Sequence, residues 1–405
     1  MIGTMITIRN HHSYSNSLLL LIIMVLTIDQ TIQQLDFDYN YKSIYGENNK
    51  INDNGDIDND DDDDDNGGGG GGGGNIADID NQNIASFRYY EDLDNTNDKA
   101  YILPISKPIG QVTGLGINSH GYLLAFHRAD RTWNKWSFDK YNKFNASFGP
   151  IKNATIYVID PNSGEIVKEF GKGIFYMPHG LTVDSNDNIW VTDVGLHQIF
   201  KYDKNFKLLM KLGEHLKPGS DKKHFCKPTD IAIAQNGHFF VADGYCNNRI
   251  MKFDENGKLL AEFGHSNGLG EAASSQFSIP HSIALIEDLN LICVADRENE
   301  RIQCFSAGIT DDRRALPVGM LITKAEGVGR IYAIREKKHY LVGVTESDGE
   351  GIESQLFVMD MNNGKTKTFV RGIENAHSLA ISDDGIVYVG QTGPKQIVQI
   401  PLLDQ

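Results

Sequence analysis

Apolar and polar positions alternate in short runs along most of this chain, and the runs recur. In FYMPHGLTVDSNDNIWVTD, Phe175 to Asp193, a short loop ends in Pro178-His179, and an alternating strand is predicted from Leu181. A polar turn, Ser185 to Asn188, separates it from a second strand, Ile189 to Thr192. Period-two alternation broken by Asn and Asp marks a β-hairpin. The same text returns from Phe225, Phe277 and Glu374, with weaker copies from Gly110 and Gly327. Aligned on the first apolar residue after the loop, the copies sit at Leu115, Leu181, Ile231, Ile283, Ile331 and Leu379, at intervals of 66, 50, 52, 48 and 48. Repeats of that length, each with several short strands, predict an all-β, six-bladed β-propeller. Tyr101 to Ile105 is the candidate for the strand that closes the ring.

In such a blade the first strand lines the central channel, so equivalent positions form a ring about the axis. Two residues before the aligned position stand Thr113, His179, Thr229 or its neighbour, His281, Arg330 or its neighbour, and His377. Histidine thus occupies one register in repeats two, four and six, which are ~120° apart in this architecture. Three imidazoles converging at one height are what a three-histidine metal site needs, with a coordination position left open. Zinc suits such a donor set, and iron or cobalt would also fit. Twelve residues past the aligned position (thirteen in repeat four) come His127, Asp193, Asp243, Asp296 and Gln391. Arg128 and Arg297 are one further on, and Tyr245 is two past the mark, so two guanidiniums and a phenol are expected on the histidine face. Arginine clamps carboxylates through paired N–H bonds, and a tyrosine near cations can serve as a base. An ion pair of Arg297 with Glu298 or Glu300 is the plainer reading of that residue. The three aspartates are expected to form turns by binding backbone N–H groups.

Composition divides the chain. Met1 to Ile28 reads as a signal peptide: Arg9, His11 and His12 precede nine unbroken apolar residues, Leu18 to Leu26, too few for the ~20 that span a bilayer. Residues 29–99 read as a disordered linker rich in Asp, Asn and Gly, unable to bury enough apolar surface to offset its ordering entropy. Positions 36 to 98 carry 18 acidic and 3 basic residues, so nearly all of the chain's net charge of −16 lies there. The acidity therefore says nothing about what the folded part, 100–405, binds. No nucleic-acid partner and no transmembrane span are expected, and the chain reads as a secreted or secretory-lumen monomer. The sequons at Asn145 and Asn153 lie in the longest insertion and are glycosylation candidates. The four cysteines, Cys226, Cys246, Cys293 and Cys304, allow three pairings into two disulfides. Pairing within each repeat, Cys226 with Cys246 and Cys293 with Cys304, is the local solution. A four-thiolate zinc site lacks the expected Cys-x-x-Cys.

Taken together, GQVTGLGI, FHRADRTW, YMPHGLTVD, HFCKPTD, VADGYCNNRI, IPHSIAL and CVADRENERIQCF identify a resemblance. The chain resembles the lyase domain of the peptidylglycine alpha-amidating enzymes, a propeller with NHL-like repeats, most strongly from Gly110 to Phe305. The resemblance implies cleavage of peptides ending in α-hydroxyglycine to a peptide amide and glyoxylate. It implies zinc on His179, His281 and His377, Tyr245 as base with Arg128 beside it, and Arg297 holding the substrate carboxylate. It implies the same two disulfides, and a channel calcium held partly by the backbone carbonyls of Leu115 and Leu181. Where the family reads like Met-Pro-His-Asp, this chain has Asn375-Ala376-His377-Ser378, so Ser378 replaces the aspartate that would complete the calcium site. No domain with a copper-binding His-x-His is evident, so a separate copper monooxygenase is expected to supply the substrate. The alternative is a secreted NHL-type propeller that only binds, its pocket inactive. A calcium-dependent lactonase-like propeller would place Asp, Glu and Asn on the channel instead of three histidines.

Overall fold

The computed structural model describes residues 100–266, 272–309, 316–347 and 353–402. The proposed signal peptide 1–28 and linker 29–99 lie outside them. Within them the chain forms six four-stranded antiparallel sheets. Blade one holds Val112–Ile117, Leu123–His127, Ile156–Ile159 and Ile166–Phe170. Blade two holds Pro178–Val183, Ile189–Asp193, Gln198–Tyr202 and Leu208–Leu212. Blade three begins at Asp230–Ile233 and Phe239–Asp243, blade four at Pro280–Ile286 and Leu291–Asp296, and blade five at Arg330–Lys337 and Tyr340–Glu346. Blade six takes Ala376–Ile381, Ile386–Gln391 and Ile397–Pro401 from the C-terminal part. Its outer strand comes from the other end of the fold: Tyr101 pairs Gln399 and Ile102 pairs Val398. The expected closing strand is therefore present, shorter than Tyr101 to Ile105. The first strands of neighbouring blades pack against one another around the ring.

The core lies between blades, where facing sheets interdigitate. Phe126 of blade one meets Phe175 edge-on at 4.9 Å, and Leu181, Val191 and Phe200 complete that layer, all buried. Each such side chain contributes roughly 1.5–3 kcal/mol by leaving water. The long insertion of blade one, between Leu123–His127 and Ile156–Ile159, carries both sequons, and Asn145 and Asn153 are exposed on it. Among the described residues no helix is long and apolar enough to cross a membrane.

Two expectations about strand placement are corrected. The first strand of blade two begins at Pro178, not Leu181, because the pairing to the second strand slips between Pro178 and Leu181. The alternation breaks at that bulge, so the sequence pattern hides the strand's first turn. In blade five the bulge lies between Ile331 and Ala333. That makes Tyr332, not Arg330, the counterpart of the histidines, and Ile334 rather than Ile331 the aligned apolar residue. Arg330–Lys337 is the longest of the first strands, and Ile334 lies 51 residues past Ile283 rather than the 48 that placed Ile331.

Candidate metal centre

Each histidine occupies the bulge of its blade's first strand: His179 in blade two, His281 in blade four, His377 in blade six. A bulge leaves one residue out of the ladder and re-aims its side chain. Here it turns all three rings onto the axis. Their centroids are 4.7–4.8 Å apart, and one ring nitrogen of each lies within 4.8 Å of the others. All three residues are at most 8 % exposed.

The odd-numbered blades fix the rings. His179 Nδ1 is 2.9 Å from the Thr229 carbonyl, His281 Nδ1 2.6 Å from that of Tyr332, and His377 Nδ1 3.1 Å from that of Thr113. A carbonyl oxygen can only accept, so each Nδ1 carries the proton and each Nε2 presents its lone pair. Burial, with the neighbouring His377 and Arg128 charges, holds His179 well below the usual imidazole range, and His281 behaves likewise. Burial and Arg128 push His377 down to about 3. At neutral pH the rings are therefore uncharged ligands. The donor set fits a transition metal.

Tyr245 stands at the open side. Its hydroxyl is 3.1 Å from His179 Nε2 and 3.2 Å from His281 Nε2. It lies on the loop after Phe239–Asp243, anchored by the adjacent Cys246–Cys226 disulfide. Gly244 lets that loop approach blade four: a Cβ there would sit 2.4 Å from the Pro280 carbonyl oxygen. The second disulfide, Cys293–Cys304, joins directly paired residues of neighbouring strands in blade four. Both pairings are the local ones.

Both arginines reach the same face. Arg128 is buried; its Nε donates to the Pro178 carbonyl at 3.1 Å and its Nη1 to Gln111 Oε1 at 3.0 Å. Burial lowers its pKa to about 10, which leaves it charged at neutral pH. Arg297 lies over Tyr332 at 4.7 Å and beside Tyr245 at 5.5 Å. It also makes the plainer bond, Nε to Glu298 Oε1 at 2.7 Å, and Glu298 binds Arg330 as well. Burial works against the Arg297 charge, but Tyr245, Tyr332 and Glu298 outweigh it and raise its pKa.

The aspartates are structural, as expected. Asp193 accepts from the backbone N–H groups of Tyr176, Met177, Gly195 and Leu196. Asp243 holds Cys226 N–H and Arg249, and Asp296 holds Ser278 N–H and Arg301. Each ties the loop entering a first strand to the loop leaving the second. His127 does the same with Nδ1, accepting from Gly110 and Ala129, and burial pushes it down to about 4. Asn375 adopts φ 52° and accepts from Thr392 N–H through its carbonyl, so the departure there leaves His377 in place. Leu115 and Leu181 lie buried two residues past Thr113 and His179.

Tyr332 and Trp133 were missed. The Trp133 ring is 5.1 Å from Tyr245 and 5.3 Å from the Arg128 guanidinium. Its insertion carries no repeat register, so only the FHRADRTW text flagged it.

Comparison with known proteins completes the picture. The NHL repeat model matches residues 175–202, 225–253 and 277–305, the first three strands of blades two, three and four. A Caenorhabditis elegans protein named a probable peptidyl-alpha-hydroxyglycine alpha-amidating lyase is 52% identical over 299 residues, covering 74% of this chain and 84% of that one. The peptidyl-alpha-hydroxyglycine alpha-amidating lyase 2 of Drosophila melanogaster is 39% identical, covering 70% and 69%. The peptidylglycine alpha-amidating monooxygenase of Rattus norvegicus is 39% identical over 79% of this chain, which spans only 33% of that longer protein.

Proposed function

The chain belongs to the peptidyl-alpha-hydroxyglycine alpha-amidating lyase family, and from that premise we propose that it is a zinc-dependent lyase that cleaves peptidyl-α-hydroxyglycine to a peptide amide and glyoxylate. One observation carries the reading: three neutral imidazoles converge with a ring nitrogen of each within 4.8 Å of the others, and a phenol hydroxyl stands between two of them. A propeller that only binds has no need of that juxtaposition.

His179, His281 and His377 would hold the zinc, which supplies Lewis-acid polarisation of a substrate oxygen when bound. The chain's own residues do the rest. In the substrate the bond between the amide nitrogen and the hydroxyl-bearing carbon breaks, and that carbon becomes the aldehyde of glyoxylate. The hydroxyl loses its proton and the amide nitrogen gains one, so the reaction is balanced without water or oxidant. Tyr245, acting as its phenolate, would take the hydroxyl proton, since it stands beside the imidazoles that the hydroxyl oxygen would face. The same proton is then available to the departing nitrogen. Arg128 and Arg297 present positive charge beside Tyr245 and hold the terminal carboxylate. Trp133 and Tyr332 wall the site and limit water. Recognition rests on the C-terminal α-hydroxyglycine unit, which a copper monooxygenase acting on glycine-extended peptides would supply. The two disulfides fit a secretory or extracellular setting.

The test is turnover of α-hydroxyhippurate by purified protein. We expect glyoxylate and benzamide in equal amounts, loss of activity on chelation, and recovery with zinc. His179→Ala is expected to lose both the metal and the activity. Metal content near one per chain with no glyoxylate would instead support the binding-module reading.

A further inference from the structure

The resemblance implies a channel calcium, and the residues present do not fit one. One position past the histidine ring the first strands present Gly114, Gly180, Asp230, Ser282, Ala333 and Ser378. Calcium takes six to eight oxygens and relies on carboxylates for charge. Asp230 is the carboxylate in this ring, and it is already paired. Arg335, from the long first strand of blade five, sends its guanidinium into the channel cavity that the histidines also line. Its Nη1 is 2.8 Å from Asp230 Oδ2, and its Nη2 is 3.3 Å from Asp230 Oδ1. The same Nη1 donates to the Ile334 carbonyl at 2.8 Å and lies 3.1 Å from Ser282 Oγ. Ser282 Oγ donates to Asp230 Oδ2 at 2.7 Å, and the backbone N–H groups of Ile231 and Ile283 complete the carboxylate's shell. Opposite, Ser378 Oγ is buried and without a partner. The chain thus has a hydroxyl where the family would place a second carboxylate, and a fixed cation on the carboxylate that remains.

We propose that the Arg335 guanidinium is the resident cation of this channel, taking the place of a bound calcium, and that it links blades three, four and five through Asp230 and Ser282. Two changes compensate each other. The hydroxyl at 378 lacks the charge a divalent ion needs, and Arg335 of blade five supplies one positive charge to Asp230. The inference does not depend on the reaction assignment, and its readouts are calcium content and thermal stability rather than turnover.

The full chain is titrated with calcium in calcium-depleted buffer at fixed zinc, followed by thermal unfolding and metal analysis. The expected result is no stoichiometric calcium and a Tm unchanged within about 1 °C up to millimolar calcium. Calcium at one per chain with a Tm raised by several degrees overturns the proposal. Arg335→Met, which leaves the Asp230 charge buried and unpaired, is expected to lower Tm by roughly 5 °C, with most of it restored by adding Asp230→Asn. A wild-type Tm for Arg335→Met also overturns it. Should that variant not fold, the calcium titration of the natural chain decides alone.

Discussion

At the scale of single residues, Tyr245 and the three histidines have separable duties. The histidines are locked through Nδ1 and have only Nε2 to offer. Tyr245 contacts two of those nitrogens, 3.1 and 3.2 Å away, without being needed to complete the triangle. Removing its hydroxyl should therefore spare the metal. Tyr245→Phe is expected to retain about one zinc while turnover falls roughly 10²–10⁴-fold, the usual range for a lost general base. Metal analysis alongside steady-state kinetics checks this, and an unchanged kcat would remove Tyr245 from the mechanism. Arg297 shows how two readings of one residue can both hold. It makes the ion pair with Glu298 that its sequence neighbour suggested, and the same geometry keeps its charge over Tyr332 and near Tyr245.

At the scale of elements, the bulges matter most. All three histidines sit in them, and so do Thr113 and Tyr332, whose carbonyls accept from His377 and His281. Alternate blades therefore supply the imidazoles, and the blades between supply the acceptors that orient them, as the partners of imidazoles in metal sites do. The periodicity of apolar residues located the register in blades two, four and six, because their spacing around the bulge is similar. It failed in blade five, where the interval from blade four is longer than the 48 residues assumed, and there the sequence offered Arg330 or its neighbour in place of Tyr332. The loop carrying Tyr245 depends on an absent side chain. Gly244→Ala would press a Cβ to within 2.4 Å of the Pro280 carbonyl oxygen. The backbone must give way, at a cost of about 1–3 kcal/mol, and Tyr245 moves with it. We expect kcat to fall roughly 10- to 100-fold with zinc retained, since small misplacements of a reacting group cost that much. Wild-type kinetics with lowered stability would mean that the loop relaxes without moving the phenol.

At the scale of the whole molecule, the outer strand of blade six, supplied from the N-terminal side of the ring, is only 2 residues long. Tyr101 and Ile102 pair with the last strand of blade six, Leu103 N–H donates to the Ile397 carbonyl at 2.9 Å, and the Leu103 side chain is buried. Burying that leucine contributes roughly 2 kcal/mol and each bond about 1 kcal/mol. Deleting residues 100–103 is therefore expected to lower Tm by roughly 5 °C, read by thermal unfolding. Because His377 belongs to blade six, metal affinity should weaken in the same variant, which equilibrium dialysis would show. An unchanged Tm would mean that the ring is held by contacts between first strands alone.

The amino-acid sequence by itself determined the number of blades, the recurrence of histidine in alternate repeats and the structural use of Asp193, Asp243 and Asp296, and it favoured the local pairing of cysteines among three. These are matters of period and identity, which a chain carries in one dimension. Only the tertiary structure decided which carbonyl orients each imidazole, that Tyr332 completes the ring in blade five, that Trp133 reaches Tyr245 from an insertion, and that Arg335 lies on Asp230. Each of those contacts joins residues from different blades or from a segment outside the repeat. Local pattern cannot encode a distance that is set only when six sheets close on a common axis.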